Sequence, residues 1–399
     1  MKKNLSFVIA ASEPQSYKSA KIKRLWLGGR NDRVYRRVVK DFIFKLFCGK
    51  GKRKMKGIRF IVNTGVIADN IRHLKTKYSG YKCYMAVLKG NAYGHGLSQQ
   101  VVDAAVNGGA DYLVACYLGD ALKIRKFAPN MPVLCLNPAT ENELDICRKN
   151  NIAVAVADPK PLDYSGLKVH IKLDTGLGRY GLKDKESVSS AYKMLRVSGA
   201  EIDGIFTHLV SEDDTDSMNA QLKVFLEMTS DIDLKTIPIV HIPSGEALTV
   251  LDRPEFVNGT RMGSVIYGLN EPQVGTKSAL KAVTNVMSVR EIKAGETIGY
   301  RGNYVAKEDG FVGMLPIGYD IGFLRGYKNH TVFVNGEERH IVGSVFMCQT
   351  YCEVNEDTKA GDEVVLFRGF EDFAALAKAV NTIPEEIVLA LKPSEIVYI

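Results

Sequence analysis

A single lysine placed where a buried strand gives way to a glycine-rich turn is the most reactive arrangement in this sequence. Met85-Ala86-Val87-Leu88 is an apolar run that reads as a buried strand, and Lys89 ends it. Asn91, Gly94 and Gly96 then turn the chain, with Tyr93 and His95 between them. An ammonium at such a position is costly unless it is paired or used covalently. A partly desolvated lysine offers the nucleophilic amine that Schiff-base chemistry requires. The same residues also fit a lysine that snorkels from a strand end into solvent.

Other chemically capable side chains recur at matching places. Arg179 follows Asp174-Thr175-Gly176, His208 follows an apolar run, and Ser244, Arg261, Gly263 and Ser264 come later. The elements that must position them are short apolar strands at 83–88, 112–116, 132–136, 152–156, 168–173, 202–207, 237–241 and about 256–260, alternating with helical stretches. Continuous apolar runs mean strands covered on both faces, hence a parallel sheet under helices. Eight such units count out an α/β fold of the (β/α)8 TIM-type barrel class, in which chemistry lies at the C-terminal ends of strands. A doubly wound sheet is the alternative, but no Gly-rich dinucleotide turn follows its first strand. Beyond about 285 the texture changes to short alternating strands with glycine turns, and Asn335-Gly336 is a hairpin signal. The expected organisation is a basic extension at 1–57, a barrel at 58–285 and an all-β domain at 286–399, with a late amphipathic helical stretch at 370–391 interrupted near Pro384.

Composition restricts the class further. The 399 residues are 46% hydrophobic and 25% charged, an ordinary globular balance. No apolar run approaches the roughly 18 residues of a spanning helix, which argues against stable membrane insertion. Seven cysteines without CxxC pairing argue for a reducing, cytoplasmic setting and against a zinc site or a disulfide framework. The net charge of +8 is unevenly spread. Residues 1–57 hold 17 Lys/Arg and three acids, or +14, so the remainder carries 8 − 14 = −6. The extension begins like a short secretory signal and contains Lys40–Phe47, an amphipathic candidate for an anionic surface. It has no aromatic-basic RNA motif, so its charge alone does not indicate nucleic acid.

Over residues 58–399 the order of motifs resembles the alanine racemase family. The string from Ala86 to Gly96 matches that family's pyridoxal-phosphate (PLP) lysine motif. His170-Ile171-Lys172-Leu173-Asp174-Thr175-Gly176-Leu177-Gly178-Arg179 matches its motif after strand five, Thr207-His208-Leu209 its histidine, and Arg261-Met262-Gly263-Ser264 its late arginine. The resemblance implies PLP on Lys89, with Tyr93, Ser244, Gly263 and Ser264 at its phosphate. It implies His208 bonded to Arg261, which faces the pyridine nitrogen. Arg179 and Met347 would meet the substrate carboxylate, and Lys172 corresponds to a lysine carbamylated in many members. Gly299-Tyr300-Arg301 matches the second base, so Lys89 would serve the D face of Cα and Tyr300, from a partner subunit, the L face. That implies a homodimer with shared active sites, racemising alanine for cell-wall peptidoglycan. Cys348 stands where the family has an aspartate, and Glu385 where it has a phosphate-bound tyrosine. These departures leave a serine or broader small amino-acid racemase as one alternative. A PLP-binding homeostasis protein with little turnover is another, although such proteins lack a β domain and a second base.

Overall fold

The computed structural model describes residues 57–211, 213–245, 247–270 and 274–399. The signal-like start, the Lys40–Phe47 segment and nearly all of the basic extension lie outside the described residues. Met55–Ile399 forms one compact unit.

The first strand, β1 (Arg59–Val62), stands apart from the barrel and leads into helix α1 (Thr64–Lys77), capped by the Asn63 side chain. The barrel then closes from eight parallel strands: β2 (Cys83–Val87), β3 (Tyr112–Ala115), β4 (Val133–Cys135), β5 (Ile152–Val156), β6 (Lys168–Lys172), β7 (Glu201–Phe206), β8 (Ile239–Ser244) and β9 (Gly259–Met262). Every residue of β2 and of β5 is buried, as strands covered on both faces require. Helices α2 (Gln99–Asn107), α3 (Leu118–Phe127), α4 (Glu141–Lys149), α5 (Lys185–Ser198) and α6 (Thr215–Met228) pack outside. Their starts are set by local chemistry: Ser98, Asp184 and Asp214 accept from backbone N–H groups, and Thr140 with Glu143 forms a capping box.

All eight expected strands form, with two differences. The last two begin two to three residues later than expected, because Pro238 lacks a ladder N–H and residues 254–257 close a turn before Gly259. The connection at 157–167 also lacks the expected helix; Pro159 and Pro161 interrupt it.

After the one-turn α7 (Ala247–Val250) and β9, the chain builds a nine-stranded sheet. Its members include β10 (Leu280–Asn285), β11 (Ser288–Ile292), β14 (Gly310–Leu315), β15 (Thr331–Val334), β16 (Glu337–Val342), β17 (Thr350–Val354), β18 (Glu363–Phe367) and β19 (Glu395–Tyr398). A small hairpin, β12 (Thr297–Ile298) with β13 (Tyr304–Val305), stands beside it. Asn335 and Gly336 join β15 to β16 with φ of 52° and 86°, the doubly positive turn that suits the strand twist. β16 ends at Val342, where Gly343 turns the chain away with φ 73°. The late helical stretch divides into α8 (Phe370–Ala379) and α9 (Pro384–Ala390).

The ninth member of the sheet is β1, antiparallel to β10 and parallel to β19. The barrel therefore does not begin at 58, nor the β domain at 286. Residues 59–62 and 280–285 both belong to the β sheet, and the barrel sequence is looped out between them.

Candidate active site

Lys89 lies just past β2, half-buried on the barrel rim. The turn that follows is left-handed: φ is 60° at Gly90, 55° at Asn91, 56° at Ala92, 51° at Tyr93 and 82° at Gly94. Three of these residues carry a Cβ, at a cost of roughly 1–2 kcal/mol each. The surroundings hold them there. Ala92 N–H donates to Leu88 O (3.1 Å), Gly94 N–H to Gly90 O (3.0 Å), and Leu97 N–H to Asn91 Oδ1 (2.8 Å). The Tyr267 ring packs on Tyr93 (5.2 Å between centroids) and on the fully buried His95 (4.6 Å). His95 Nδ1 donates to Tyr93 O (3.0 Å), and burial pushes its pKa down to about 4. The turn thus brings the Lys89 amine to 5.5 Å from the Tyr93 ring centre, both facing one cavity.

That cavity, about 200 Å³, opens at the C-terminal ends of the barrel strands. Its described lining includes Lys89, Arg179 and Arg261 and not one carboxylate. Arg261, within β9 rather than after it, is 4% exposed. Its NH1 donates to His241 Nδ1 (2.9 Å) and His241 O (2.7 Å), and its NH2 to Thr207 O (2.9 Å), Ile242 O (3.0 Å) and His208 Nδ1 (3.3 Å). Burial, then the Arg261 charge, pushes His208 down to about 3, so its ring is neutral at working pH. Ser244 ends β8, with its Oγ 3.4 Å from His208 Nδ1. A register shift between His241 and Ser244 sets Ser244 opposite Arg261. Gly263 is required by close approach: a Cβ there would lie 2.4 Å from the Tyr93 hydroxyl. The Tyr93 hydroxyl therefore lies over bare backbone at Gly263, where the chain enters the short turn Ser264–Tyr267.

The cavity gathers eight of the expected residues: Lys89, Tyr93, Arg179, His208, Ser244, Arg261, Gly263 and Ser264. Lys172 is behind its wall, 1% exposed, 5.5 Å from the Phe206 ring centre and 5.7 Å from that of Tyr180. Tyr300 and Met347 do not line it. They project from β-domain loops at 68% and 56% exposure, and Tyr300 packs on Phe346 (5.3 Å). Asp320 N–H donates to Met347 O (3.0 Å), clamping the two loops together, and a hydrogen bond to the Asp320 carboxylate pushes the adjacent Cys348 thiol up. Glu385, which stands in sequence where the family has its phosphate-bound tyrosine, does not line the cavity either; it lies in α9, whose Val388 and Leu389 cover Gly94 and Gly90.

Sequence reasoning gave no role to Tyr180 and Phe206, which form walls of the cavity. Tyr180 directly follows Arg179, and Phe206 shares the inward phase of its strand with His208, so both had a readable signal. Chemically, the site suits a ligand with strong anionic groups and an electrophilic carbonyl for the single lysine.

Known proteins carry the same architecture. Residues 62–271 match the family model described as alanine racemase, N-terminal domain, and residues 279–396 the one described as alanine racemase, C-terminal domain. An alanine racemase of Streptococcus uberis is 33% identical over 351 residues, covering 83% of this chain and 94% of that protein. One from Streptococcus gordonii is 31% identical over 348 residues, covering 82% and 94%. The crystal structure of alanine racemase from E. faecalis superposes with a TM-score of 0.79 at 27% identity, covering 87% of this chain and 99% of that one. That from Bacillus anthracis, with bound L-Ala-P, gives 0.76 at 26% identity, covering 86% and 95%.

Proposed function

This chain belongs to the alanine racemase family, and we propose that it interconverts L- and D-alanine with Lys89 and Tyr300 as two opposed bases. The observation that carries this reading is a cavity holding one lysine among arginines, with no carboxylate in its described lining. The family's cofactor is pyridoxal 5′-phosphate, and the residues fit it. Tyr93, Ser244 and the backbone at Gly263 and Ser264 suit the phosphate, and Arg261 the ring nitrogen. When bound, that cofactor supplies a carbonyl carbon for the substrate amine and a ring that accepts the electron pair left when the Cα proton departs.

Everything else falls to the protein. Arg261 has only donors, so it supports the ring nitrogen without protonating it. The electron demand stays moderate, which favours returning the proton to Cα over other outcomes. Neutral His208 accepts from Arg261 and keeps the guanidinium in place. Arg179 forks onto the substrate carboxylate, a geometry natural to a guanidinium. The Lys89 amine takes or returns the proton on the D face of Cα. The L face needs a second group, and Tyr300 with Met347 is exposed on loops that do not line their own chain's cavity. We assign them to the cavity of a partner subunit, making the functional unit a homodimer. The product would enter peptidoglycan synthesis.

Isotope exchange tests the assignment. In Tyr300→Phe, the Cα proton of D-alanine should still exchange with solvent deuterium, while exchange from L-alanine and net racemisation fall roughly 10²–10⁴-fold. Racemisation at the wild-type rate would overturn the L-face base. In Lys89→Ala, both exchanges and the visible absorbance of bound cofactor should vanish; persistence of that band would overturn Lys89 as the attachment point.

A further inference from the structure

A line of buried hydrogen bonds runs from Arg261 away from the cavity, down the barrel interior. Its direction follows from the donors. An arginine can only donate, so His241 Nδ1, 2.9 Å from NH1, is the bare nitrogen. The hydrogen of neutral His241 is then on Nε2, which faces His170 Nδ1 at 2.9 Å. His170 Nδ1 must accept, so its own hydrogen is on Nε2. That N–H is fully buried and has no hydrogen-bond partner among the described residues; facing it at 3.6 Å, as an electrostatic contact longer than a hydrogen bond, is Asp203 Oδ2, which accepts from the Tyr112 hydroxyl at 3.0 Å. Both imidazoles are wholly buried, and burial holds both below the ordinary histidine range, so the neutral tautomers are the relevant ones. Lys168, 3.9 Å from Asp203 Oδ1, is the cation at the outer end.

The backbone is shaped for this line. Between β6 and β7 the register shifts: Val169 pairs with Ile202, but His170 pairs with Gly204. Asp203 is the extra residue of a bulge, a device that re-aims a side chain. Its neighbour Gly204 makes room for the imidazole, since a Cβ there would lie 2.2 Å from His170 Nδ1.

We propose that Asp203 is a positioning residue, which from the far half of the barrel fixes the tautomers of His170 and His241 and so holds Arg261 as a donor of set orientation. The carboxylate presents only negative charge and acceptors to His170 Nε2, so it favours a hydrogen on that nitrogen and with it one direction of donation along the line. An amide at this place also offers a donor. Turned toward His170 Nε2, it would reverse the line and set a His241 N–H against an arginine N–H. The effect on the cavity rests on Arg261 serving the cofactor as proposed above; the tautomers themselves do not.

The test is nitrogen-15 NMR of histidine-labelled, cofactor-free protein, with His170→Asn and His241→Asn used only to assign resonances. Both rings should be neutral near pH 7 and carry hydrogen on Nε2. A hydrogen on Nδ1 of either ring overturns the proposal, and needs no variant of Asp203. In Asp203→Asn the single tautomer should give way to a mixture, and the dissociation constant of added pyridoxal phosphate should rise about tenfold. Asp203→Glu should restore both. Unchanged tautomers in Asp203→Asn overturn the role of Asp203. Altered tautomers with unchanged cofactor affinity support the line and instead refute the assignment of Arg261 to the cofactor.

Discussion

Replacing Lys172 by methionine tests the electrostatics behind the cavity wall. Burial, followed by the Arg261 charge, pushes this lysine from 10.5 down to about 7, against a smaller opposing pull from Asp174. That displacement corresponds to about 5 kcal/mol against the charged form. The sign is fixed by proton counting. Between about pH 7 and about pH 10.5 the unfolded chain keeps a proton that the folded chain has released, so stability rises with pH across this window and the full penalty applies below it. Relative to Lys172→Met, which cannot titrate, the wild type in CO2-free buffer should gain about 2 kcal/mol between about pH 7 and about pH 9. Urea-unfolding midpoints of the two proteins at both pH values measure this. A gap that does not change with pH refutes the depressed lysine. A neutral buried amine is also the nucleophile that adds to the carbon of CO2 and, on losing a proton to solvent, becomes a carbamate, and the resulting anion would sit among the same arginines. Carbon-13-labelled CO2 should therefore give a carbamate signal and stabilise the wild type alone. An equal response in Lys172→Met refutes the modification.

Two further perturbations follow from geometry and burial. Gly263→Ala drives a Cβ against the Tyr93 hydroxyl, so cofactor affinity should fall about tenfold or more, equivalent to about 1.4 kcal/mol. Adding Tyr93→Phe should then cost nothing extra, and strictly additive losses in a cofactor titration would count against a shared contact. His95, held to about 4, remains neutral while an unfolded histidine protonates, so stability falls as pH drops below about 6.5. Between about pH 6.5 and about pH 4.5 its share is about 2 kcal/mol, and His95→Leu should flatten that limb of the unfolding curve.

The barrel was legible because its strands are buried on both faces. Ile152–Val156 and Cys83–Val87 are apolar throughout, and no solvent-facing residue blurs the signal. Strand edges were less legible where backbone chemistry decides, as at Pro238. Arg59–Val62 falls inside the expected barrel span of 58–285 because so short a stretch carries no signal of the strand it pairs with. Its neighbours are at 280–285 and 395–398, distances along the chain that no local pattern encodes. In the site, each motif residue sits at the end of a strand or the start of a turn, so counting strands placed Lys89, Arg179 and His208 on one rim. The line through His241, His170 and Asp203 is not legible in the sequence, for the opposite reason. These residues lie inside strands, where histidine usually reads as core, and the bulge that turns Asp203 inward leaves no mark in composition.

The position of β1 between β10 and β19 also orders events during synthesis. As the polypeptide leaves the ribosome, Arg59–Val62 appears before any strand able to pair with it. The eight barrel strands can all find neighbours as soon as Gly259–Met262 has emerged. β1, with Phe60 and Val62 committed to the interior, gains its first neighbour only with Leu280–Asn285 and its second only with Glu395–Tyr398. Until then it is an apolar strand with open edges, the kind of segment that invites pairing between nascent chains. Closing the sheet across the completed barrel is a long-range and therefore slow step. A stalled or truncated product that lacks 395–398 would have a finished barrel and an unsealed sheet.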